Sequence, residues 1–189
     1  MAAVLSHAVA GAGIAAALRP GARPPLRYWA LAVLCAVVPD LDILVVWMGA
    51  NYLGMFGHRG FMHSIFFASV FAALLSVGAF SSPRWREFRV RAGIAFFASG
   101  VSHGILDAMM SAGRGVAFFA PFSPARFHLP IRPIRVSPPS SYIFLREGGI
   151  RVSGSEIAWI WIPAALFVVL TTWLWRRRAG SRELSGKVI

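Results

Sequence analysis

The chain has 189 residues, of which 57% are hydrophobic and 14% are charged, and its mean hydropathy is +0.65. Average soluble domains carry about 25% charged residues, so this composition argues against an ordinary soluble globule. The formal net charge of +12 would suit nucleic acid in a soluble protein, but basic loops that orient a membrane protein explain it better, and we expect no nucleic-acid partner.

Five apolar stretches follow one another along the chain, each close to the ~20 residues that an α-helix needs to cross a bilayer. Their bounds are 2–18, 28–48, 61–80, 92–110 and 157–175. The sequence therefore predicts an all-α integral membrane protein with about five transmembrane helices. Residues 1–189 are expected to form a single membrane-embedded domain with a hydrolase-like site.

The first stretch is short and ends in Ala15-Ala16-Ala17, a pattern that also suits the cleavage region of a secretory signal peptide. No basic residue precedes it, whereas three arginines follow it, the first being Arg19. This charge order is the reverse of a signal peptide. It favours a retained span whose N-terminus lies outside the cytoplasm.

The other basic residues mostly support that orientation. Of the 19 Lys and Arg, 12 lie in the segments that would be cytoplasmic, 19–27, 81–91 and the basic tail 176–189. The proline-rich segment 111–155 carries six of the others and argues the opposite way. We interpret that segment as an ordered extracytoplasmic cap between the fourth and fifth spans, with the C-terminus cytoplasmic.

Ionisable side chains in this chain collect inside the apolar stretches, where each costs several kcal/mol unless it is paired, hydrated or metal-bound. On the predicted topology, seven such residues lie at a similar depth near the outer face. They are His7, Asp40, Asp42, His58, His63, His103 and Asp107. Single buried residues often only join helices by hydrogen bonds, but independent packing roles need not choose one depth. The set is therefore interpreted as one site.

Local spacing also suits coordination of a metal ion. His103 and Asp107 are four residues apart, which places them on one helical face. Asp40 and Asp42 would point to opposite sides of a regular helix, but Pro39 disturbs the backbone hydrogen bonds there. Either both carboxylates turn to the site, or one binds the metal and the other orients a histidine.

Imidazoles and carboxylates without thiolates suit zinc first, with manganese or iron as alternatives, and the set is large enough for one or two ions. The predicted metal ligands are His7, Asp40, His58, His63, His103 and Asp107. Asp42 is the candidate base, Arg59 is a candidate catalytic residue, and Arg59 and Arg126 are placed to hold a phosphate group.

Five motifs occur in a fixed order: S-H-A-V-A-G-A-G at 6–13, V-P-D-L-D at 38–42, H-R-G-F-M-H-S at 58–64, S-H-G-I-L-D at 102–107 and P-F-S-P-A-R-F at 121–127. Together they resemble the YdjM-like family of bacterial inner-membrane proteins, which are described as metal-dependent hydrolases. The resemblance covers residues 1 to about 135. It departs at Met109-Met110-Ser111, where a Thr-rich stretch is expected, and residues 136–189 show no pattern that matches.

The resemblance implies a multi-pass protein of the bacterial inner membrane that uses the seven His and Asp residues as its metal site. It further implies that the segment with Ser123 and Arg126 forms a lid that contacts substrate. Some relatives are described as binding the LexA repressor, so a LexA-type repressor is a partner implied by the family alone.

These patterns lead to one functional hypothesis and two alternatives. We expect a metal-dependent hydrolase that cleaves a phosphoester or ester of a lipid-like substrate, because the site lies at membrane depth. A non-catalytic metal-binding membrane protein, acting in structure, sensing or assembly, is the first alternative. A transporter is the second, but it needs polar residues through the cytoplasmic half of the spans, where this sequence has none.

Overall fold

The computed structural model describes residues 4–21, 23–136 and 154–185, with residues 178–185 described as helical backbone only. These ranges contain six α-helices: α1 (Val4–Ala17), α2 (Leu26–Val37), α3 (Asp42–Trp47), α4 (Ile65–Ala79), α5 (Arg86–Ala108) and α6 (Ile162–Ser185). Short 3-10 turns lie at Val38–Leu41, Phe61–His63 and Pro83–Trp85, and a π-helical turn at Ile157–Trp161. Within the same ranges there is no strand, only isolated β-bridges. The predicted all-α class is therefore confirmed.

Two helical stretches are long and apolar enough to cross a bilayer. One is Leu26–Trp47, which joins α2, the first 3-10 turn and α3, and the other is Gly154–Arg177. Helices α1 and α4 are apolar but shorter, and α5 begins with a charged turn. The count of five spans and their orientation stay predictions.

The third and fourth predicted spans begin at residues that differ from the observed helix starts. Helix α4 begins at Ile65, four residues after the predicted start, because the Ser64 hydroxyl caps it by accepting the Phe67 N–H at 3.0 Å. Helix α5 begins at Arg86, six residues before the predicted start. Arginine and glutamate favour helix, so the charged turn extends the helix beyond its apolar part.

Helices α1, α2, α4 and α5 pack on one another, and α6 lies against α1. A buried cluster fills the end of this bundle where α4 ends and α5 begins, with Tyr28, Phe80 and Phe96 as its largest members. The Tyr28 hydroxyl donates to the Ala15 carbonyl at 2.9 Å and so ties α2 to α1. The buried polar side chains, among them His103 and Asp107, lie at the opposite end of the bundle, where α5 ends; we call this the polar end.

Residues 109–136, called the cap below, lie over that polar end. The extracytoplasmic position of the predicted cap 111–155 stays a prediction. Backbone hydrogen bonds join the cap to the rest of the chain. The Ile65 N–H donates to the Phe118 carbonyl, the Ala117 N–H to the Arg59 carbonyl and the Leu129 N–H to the Ala108 carbonyl, each at 3.0 Å. The remainder of the predicted cap, residues 137–153, lies outside the described residues. The predicted basic tail begins inside α6, which continues to Ser185.

Gly11 allows α1 to approach α2 closely, because a glycine has no side chain at this contact. A Cβ atom there would lie 2.5 Å from the Ala36 Cβ on α2. We expect Gly11→Ala to destabilise the protein by about 1–3 kcal/mol, because α2 has to move away. Thermal unfolding in detergent measures the effect, with the fraction of protein that still elutes as a monodisperse gel-filtration peak as the readout.

Gly78→Ala is the matched control for this prediction. Gly78 is also helical, but an added Cβ would meet nothing within 4 Å, so the same substitution should be neutral or slightly stabilising. Equal stability of the two variants would show that the α1–α2 contact tolerates expansion.

Candidate metal centre

The helical stretch Leu26–Trp47 is interrupted at Pro39, and this interruption positions two carboxylates. Pro39 opens a 3-10 turn over Val38–Leu41, and regular helix resumes at Asp42. Proline lacks the N–H that would continue the α-helical hydrogen bonds. As a result Asp40 lies near His103, whereas Asp42 contacts His58 and His63. Asp40 thus belongs to a group that could hold a metal and Asp42 contacts His58, which is compatible with the second of the two sequence alternatives, but metal binding by Asp40 stays a prediction.

Four buried side chains converge at the centre of the polar end: Asp40, His63, His103 and Asp107. One ligand atom from each lies within 4.8 Å of the other three. The Nε2 atoms of His63 and His103 are 3.0 Å apart. His103 Nε2 lies 3.5 Å from an Asp40 oxygen, and His63 Nε2 lies 3.5 Å from an Asp107 oxygen. We refer to these four residues as the central cluster.

The polar groups around the two histidines favour a positive charge between them. His103 Nδ1 lies 2.7 Å from the Ala36 carbonyl, which only accepts, so Nδ1 carries the proton and a neutral ring has a bare Nε2. His63 Nδ1 lies 3.1 Å from an Asp42 oxygen, which also only accepts. A neutral His63 would therefore place a lone pair against Asp42 or against His103. A second proton on either of the two rings, or a metal ion between their Nε2 atoms, resolves this conflict.

The net negative charge of the buried site and its carboxylate oxygens without hydrogen-bond partners also fit a divalent cation. Three carboxylates and the Arg59 guanidinium are buried here, which leaves a formal charge of minus two with neutral imidazoles. Both oxygens of Asp40 and both of Asp107 lack a hydrogen-bond partner among the described residues. Burying such charge is costly unless a cation balances it. The separation of 3.0 Å between the two Nε2 atoms is near the ~3.3 Å expected for two imidazoles on one tetrahedral zinc ion.

Asp42 holds the histidines from behind the central cluster. One of its oxygens accepts from His58 Nδ1 at 2.8 Å, and the other accepts from the Arg59 backbone N–H at 2.8 Å. The latter oxygen is the one that faces His63 Nδ1. His58 thus bonds to Asp42 and packs edge-on against His63, with ring centroids 5.8 Å apart. The structure places this predicted ligand beside the four-residue group, outside it.

His7 adjoins the central cluster through ring stacking. Its ring is stacked on His103, with centroids 3.7 Å apart and planes 16° apart. Its Nε2 lies 3.7 Å from an Asp107 oxygen. Neither ring nitrogen has a hydrogen-bond partner among the described residues, although the side chain is fully buried. His7 is therefore within reach of the cluster but is not one of its four members.

Arg59 is bound to a predicted metal ligand. Its Nε lies 2.8 Å from an Asp107 oxygen, its Nη2 donates to Met110 Sδ at 2.8 Å, and its side chain is buried. The residue has φ of 60°, the left-handed conformation that residues with a side chain rarely adopt. That conformation directs its N–H to Asp42 and its guanidinium to Asp107. In this structure the charge of Arg59 balances a carboxylate.

Arg126 and Ser123 also make contacts with the chain itself. Arg126 Nη1 donates to the His58 carbonyl at 3.0 Å, and Nη2 donates to the Gly54 carbonyl at 3.1 Å. Partial burial lowers the pKa of the Arg126 guanidinium from its ordinary value. The Ser123 hydroxyl accepts from the Ala125 N–H at 3.2 Å. Arg126 therefore fastens the cap to the loop before α4, Ser123 makes a local turn contact, and the predicted contact of both residues with substrate stays a prediction.

The sequence interpretation missed one polar group near the site. The Ser6 hydroxyl donates to Glu156 at 2.7 Å and accepts from the Trp161 indole at 3.0 Å, and both Ser6 and Glu156 are buried. These contacts join α1, beside His7, to the start of the last helix. A glutamate at the edge of an apolar stretch was the available signal, but nothing in the sequence identifies its partner.

Comparison with known proteins gives two similarities that cover nearly the whole chain. A family model described as YdjM inner membrane protein matches residues 1–179. The curated Inner membrane protein YbcI of Escherichia coli (strain K12) is 36% identical over 176 residues, which cover 93% of this chain and 98% of that protein. No solved structure matches the chain.

Proposed function

The chain belongs to the YdjM inner membrane protein family, and on that premise we propose that it is a metal-dependent hydrolase of the bacterial inner membrane. The facing Nε2 atoms of His63 and His103, 3.0 Å apart between two buried carboxylates, carry this proposal. We also retain the predicted multi-pass topology of five spans with the N-terminus outside, because short basic segments favour it.

The central cluster holds the ion in this proposal. Two imidazole nitrogens and two carboxylate oxygens suit zinc first, with manganese or iron as alternatives. Arg59 restrains Asp107, and Asp42 and the Ala36 carbonyl orient the two histidines. His7 and the Asp107 oxygen that faces it would take part in holding a second ion. A divalent ion that kept one position open beside these ligands, as five-coordinate zinc or six-coordinate manganese or iron would, could act as a Lewis acid that activates water and polarises a phosphoryl or carbonyl group.

His58 is the best-placed base for the proposed reaction, with Asp42 as its positioning residue. Because Asp42 only accepts, it keeps the proton of a neutral His58 on Nδ1 and leaves Nε2 free to take a proton. The edge-on contact with His63 places this imidazole next to the central cluster. This role differs from the sequence prediction for His58, which was a metal ligand, and from the prediction of Asp42 as the base, but it agrees with the alternative in which one aspartate orients a histidine.

A substitution at His58 distinguishes the two assignments. We expect His58→Gln to retain its metal and to lower kcat by about 10²–10⁴-fold, because only the proton transfer is lost. Elemental mass spectrometry and turnover on the same preparation measure both quantities. His128→Gln, a matched change in the cap, should alter neither. Loss of metal in His58→Gln would restore His58 as a ligand and contradict its role as the base.

Exposed aromatic rings beside the site support a lipid-like substrate. The rings of Phe56, Phe61, Phe66 and Phe122 form a continuous series, with neighbouring centroids 5.7, 6.2 and 5.5 Å apart. Phe122 is 80% exposed and Phe56 is 61% exposed. Such a surface, two residues from His63 in sequence, suits the hydrocarbon part of an amphipathic ester.

Turnover of defined esters tests the proposal. The full chain, loaded in turn with zinc, manganese or iron, is assayed with phosphatidic acid, phosphatidylglycerol and a short-chain carboxyl ester in mixed micelles. Release of phosphate, an alcohol headgroup or fatty acid is expected in the wild type and absent in His63→Ala. Bound metal without turnover of any ester class would instead favour a non-catalytic metal-binding membrane protein.

A further inference from the structure

A groove lies between α4 and α5 on the outer surface of the bundle. Its volume is about 470 Å³, which is within the range of small-molecule sites. Ala73 and Val77 line it from α4, and Gly93 and Phe97 line it from α5. At 1.5 Å per residue, Arg89 in this groove is about 21 Å along α5 from His103. The groove is therefore separate from the central cluster.

The lining of this groove is apolar although two serines contribute to it. The Ser69 hydroxyl donates to the Ile65 carbonyl at 2.7 Å, and the Ser76 hydroxyl donates to the Ala73 carbonyl at 3.0 Å. Both hydroxyls are thus satisfied by their own helix. Exposed valines on the rim, one of them Val77 at 54%, open the groove to the surroundings. In a membrane protein those surroundings are lipid chains.

One end of the groove is cationic. Arg89 lines it, and Arg86 lies one turn earlier on the same helical face. Within the described residues Arg89 makes no ion pair, and the neighbouring Glu87 is two residues away, a spacing that turns it from that face. This end belongs to the basic segment 81–91, which is predicted to be cytoplasmic. An apolar groove that ends at the Arg89 guanidinium, with Arg86 one helical turn beyond it, is complementary to an amphipathic anion.

We propose that this groove binds an anionic phospholipid, with the headgroup on Arg89 and one acyl chain along Ala73 and Gly93. Charge complementarity favours an anionic lipid over a zwitterionic one. The anionic headgroup has a net negative charge, so arginine side chains attract it more strongly than a headgroup whose own positive charge offsets its phosphate. The site would anchor the α4–α5 pair at a fixed depth in the inner membrane. It is independent of the proposed hydrolysis.

Native mass spectrometry of the full chain in detergent, with equal amounts of phosphatidylglycerol and phosphatidylcholine, tests this inference. The wild type is expected to retain phosphatidylglycerol at least about fivefold better. Arg89→Gln should reduce that retention to the level of phosphatidylcholine. Ala73→Phe, which fills the groove from an exposed position, should reduce retention of both lipids. Arg84→Gln, an exposed arginine of the same segment, is the matched control and should keep the preference.

Several results would overturn the inference. The wild type could retain both lipids equally, or Ala73→Phe could leave retention unchanged. Arg84→Gln and Arg89→Gln could also lose retention equally, and that result would indicate a diffuse basic surface. A dimer that Ala73→Phe dissociates would assign the groove to a second copy of this chain. Val77→Trp replaces Ala73→Phe if the latter does not elute as a monodisperse species.

Discussion

Wild-type protein purified in detergent is expected to contain at least about one equivalent of zinc, manganese or iron, and His103→Ala is expected to lose it. The substitution removes one of the two facing Nε2 atoms. Residues that merely orient a ligand change metal affinity by about 10–100-fold, so removal of a ligand should exceed that range. Elemental mass spectrometry of protein isolated by gel filtration measures the metal content.

Two comparisons make this result specific to the central cluster. His128→Ala removes a histidine from the cap and should retain the metal, whereas Asp107→Asn keeps the side-chain shape and should lose it. If the wild type folds well but stays empty after reconstitution with each metal in turn, the proposed metal site is wrong. The buried histidines and aspartates would then be hydrogen-bond partners that join the helices.

Arg59→Met is expected to lower the free energy of unfolding of the metal-free protein by up to about 3–5 kcal/mol, because it removes the guanidinium from the buried Asp107 carboxylate and leaves only the neighbouring histidines to balance its charge. The Arg59 Nε lies 2.8 Å from the Asp107 carboxylate, which is fully buried. Bound metal should reduce the loss, since a cation at the cluster also balances this carboxylate. Denaturant unfolding in detergent, with and without a chelator, measures both effects.

A double-mutant cycle isolates the pair between Arg59 and Asp107. Arg59→Met combined with Asp107→Leu should recover much of the lost stability, because no buried charge is left alone. Arg114→Met, at an exposed arginine of the cap, should leave stability within about 0.5 kcal/mol of the wild type. An Arg59→Met protein that is fully stable yet inactive would instead support the catalytic role that the sequence suggested for this arginine.

Sequence spacing was sufficient to locate much of the site. His103 and Asp107 share a helical face because they are four residues apart, and both belong to the central cluster. Pro39 predicted the break that separates the roles of the two neighbouring aspartates. Each of these conclusions depends on local backbone geometry, which a short stretch of sequence specifies through helical periodicity and the missing N–H of proline.

The partners of the arginines needed the tertiary structure. Both Arg59 and Arg126 were expected to face a phosphate group, because guanidinium groups bind phosphate and the residues lie near the site. In the fold Arg59 pairs with Asp107, and Arg126 donates to backbone carbonyls of the loop before α4. A guanidinium binds carboxylates, phosphates and carbonyls alike, so its partner depends on which acceptor the fold brings within reach.

The sequence by itself determined the helical class, the apolar stretches and the set of polar residues at one end of them, because hydropathy and periodicity are properties of neighbouring residues. It left open which of seven candidate residues meet. The packing of α5 against the two 3-10 turns, Val38–Leu41 and Phe61–His63, brings the four ligand atoms together, and the same fold brings His58 to Asp42. Contacts between distant segments depend on side-chain direction and helix crossing, and these are set by the whole fold.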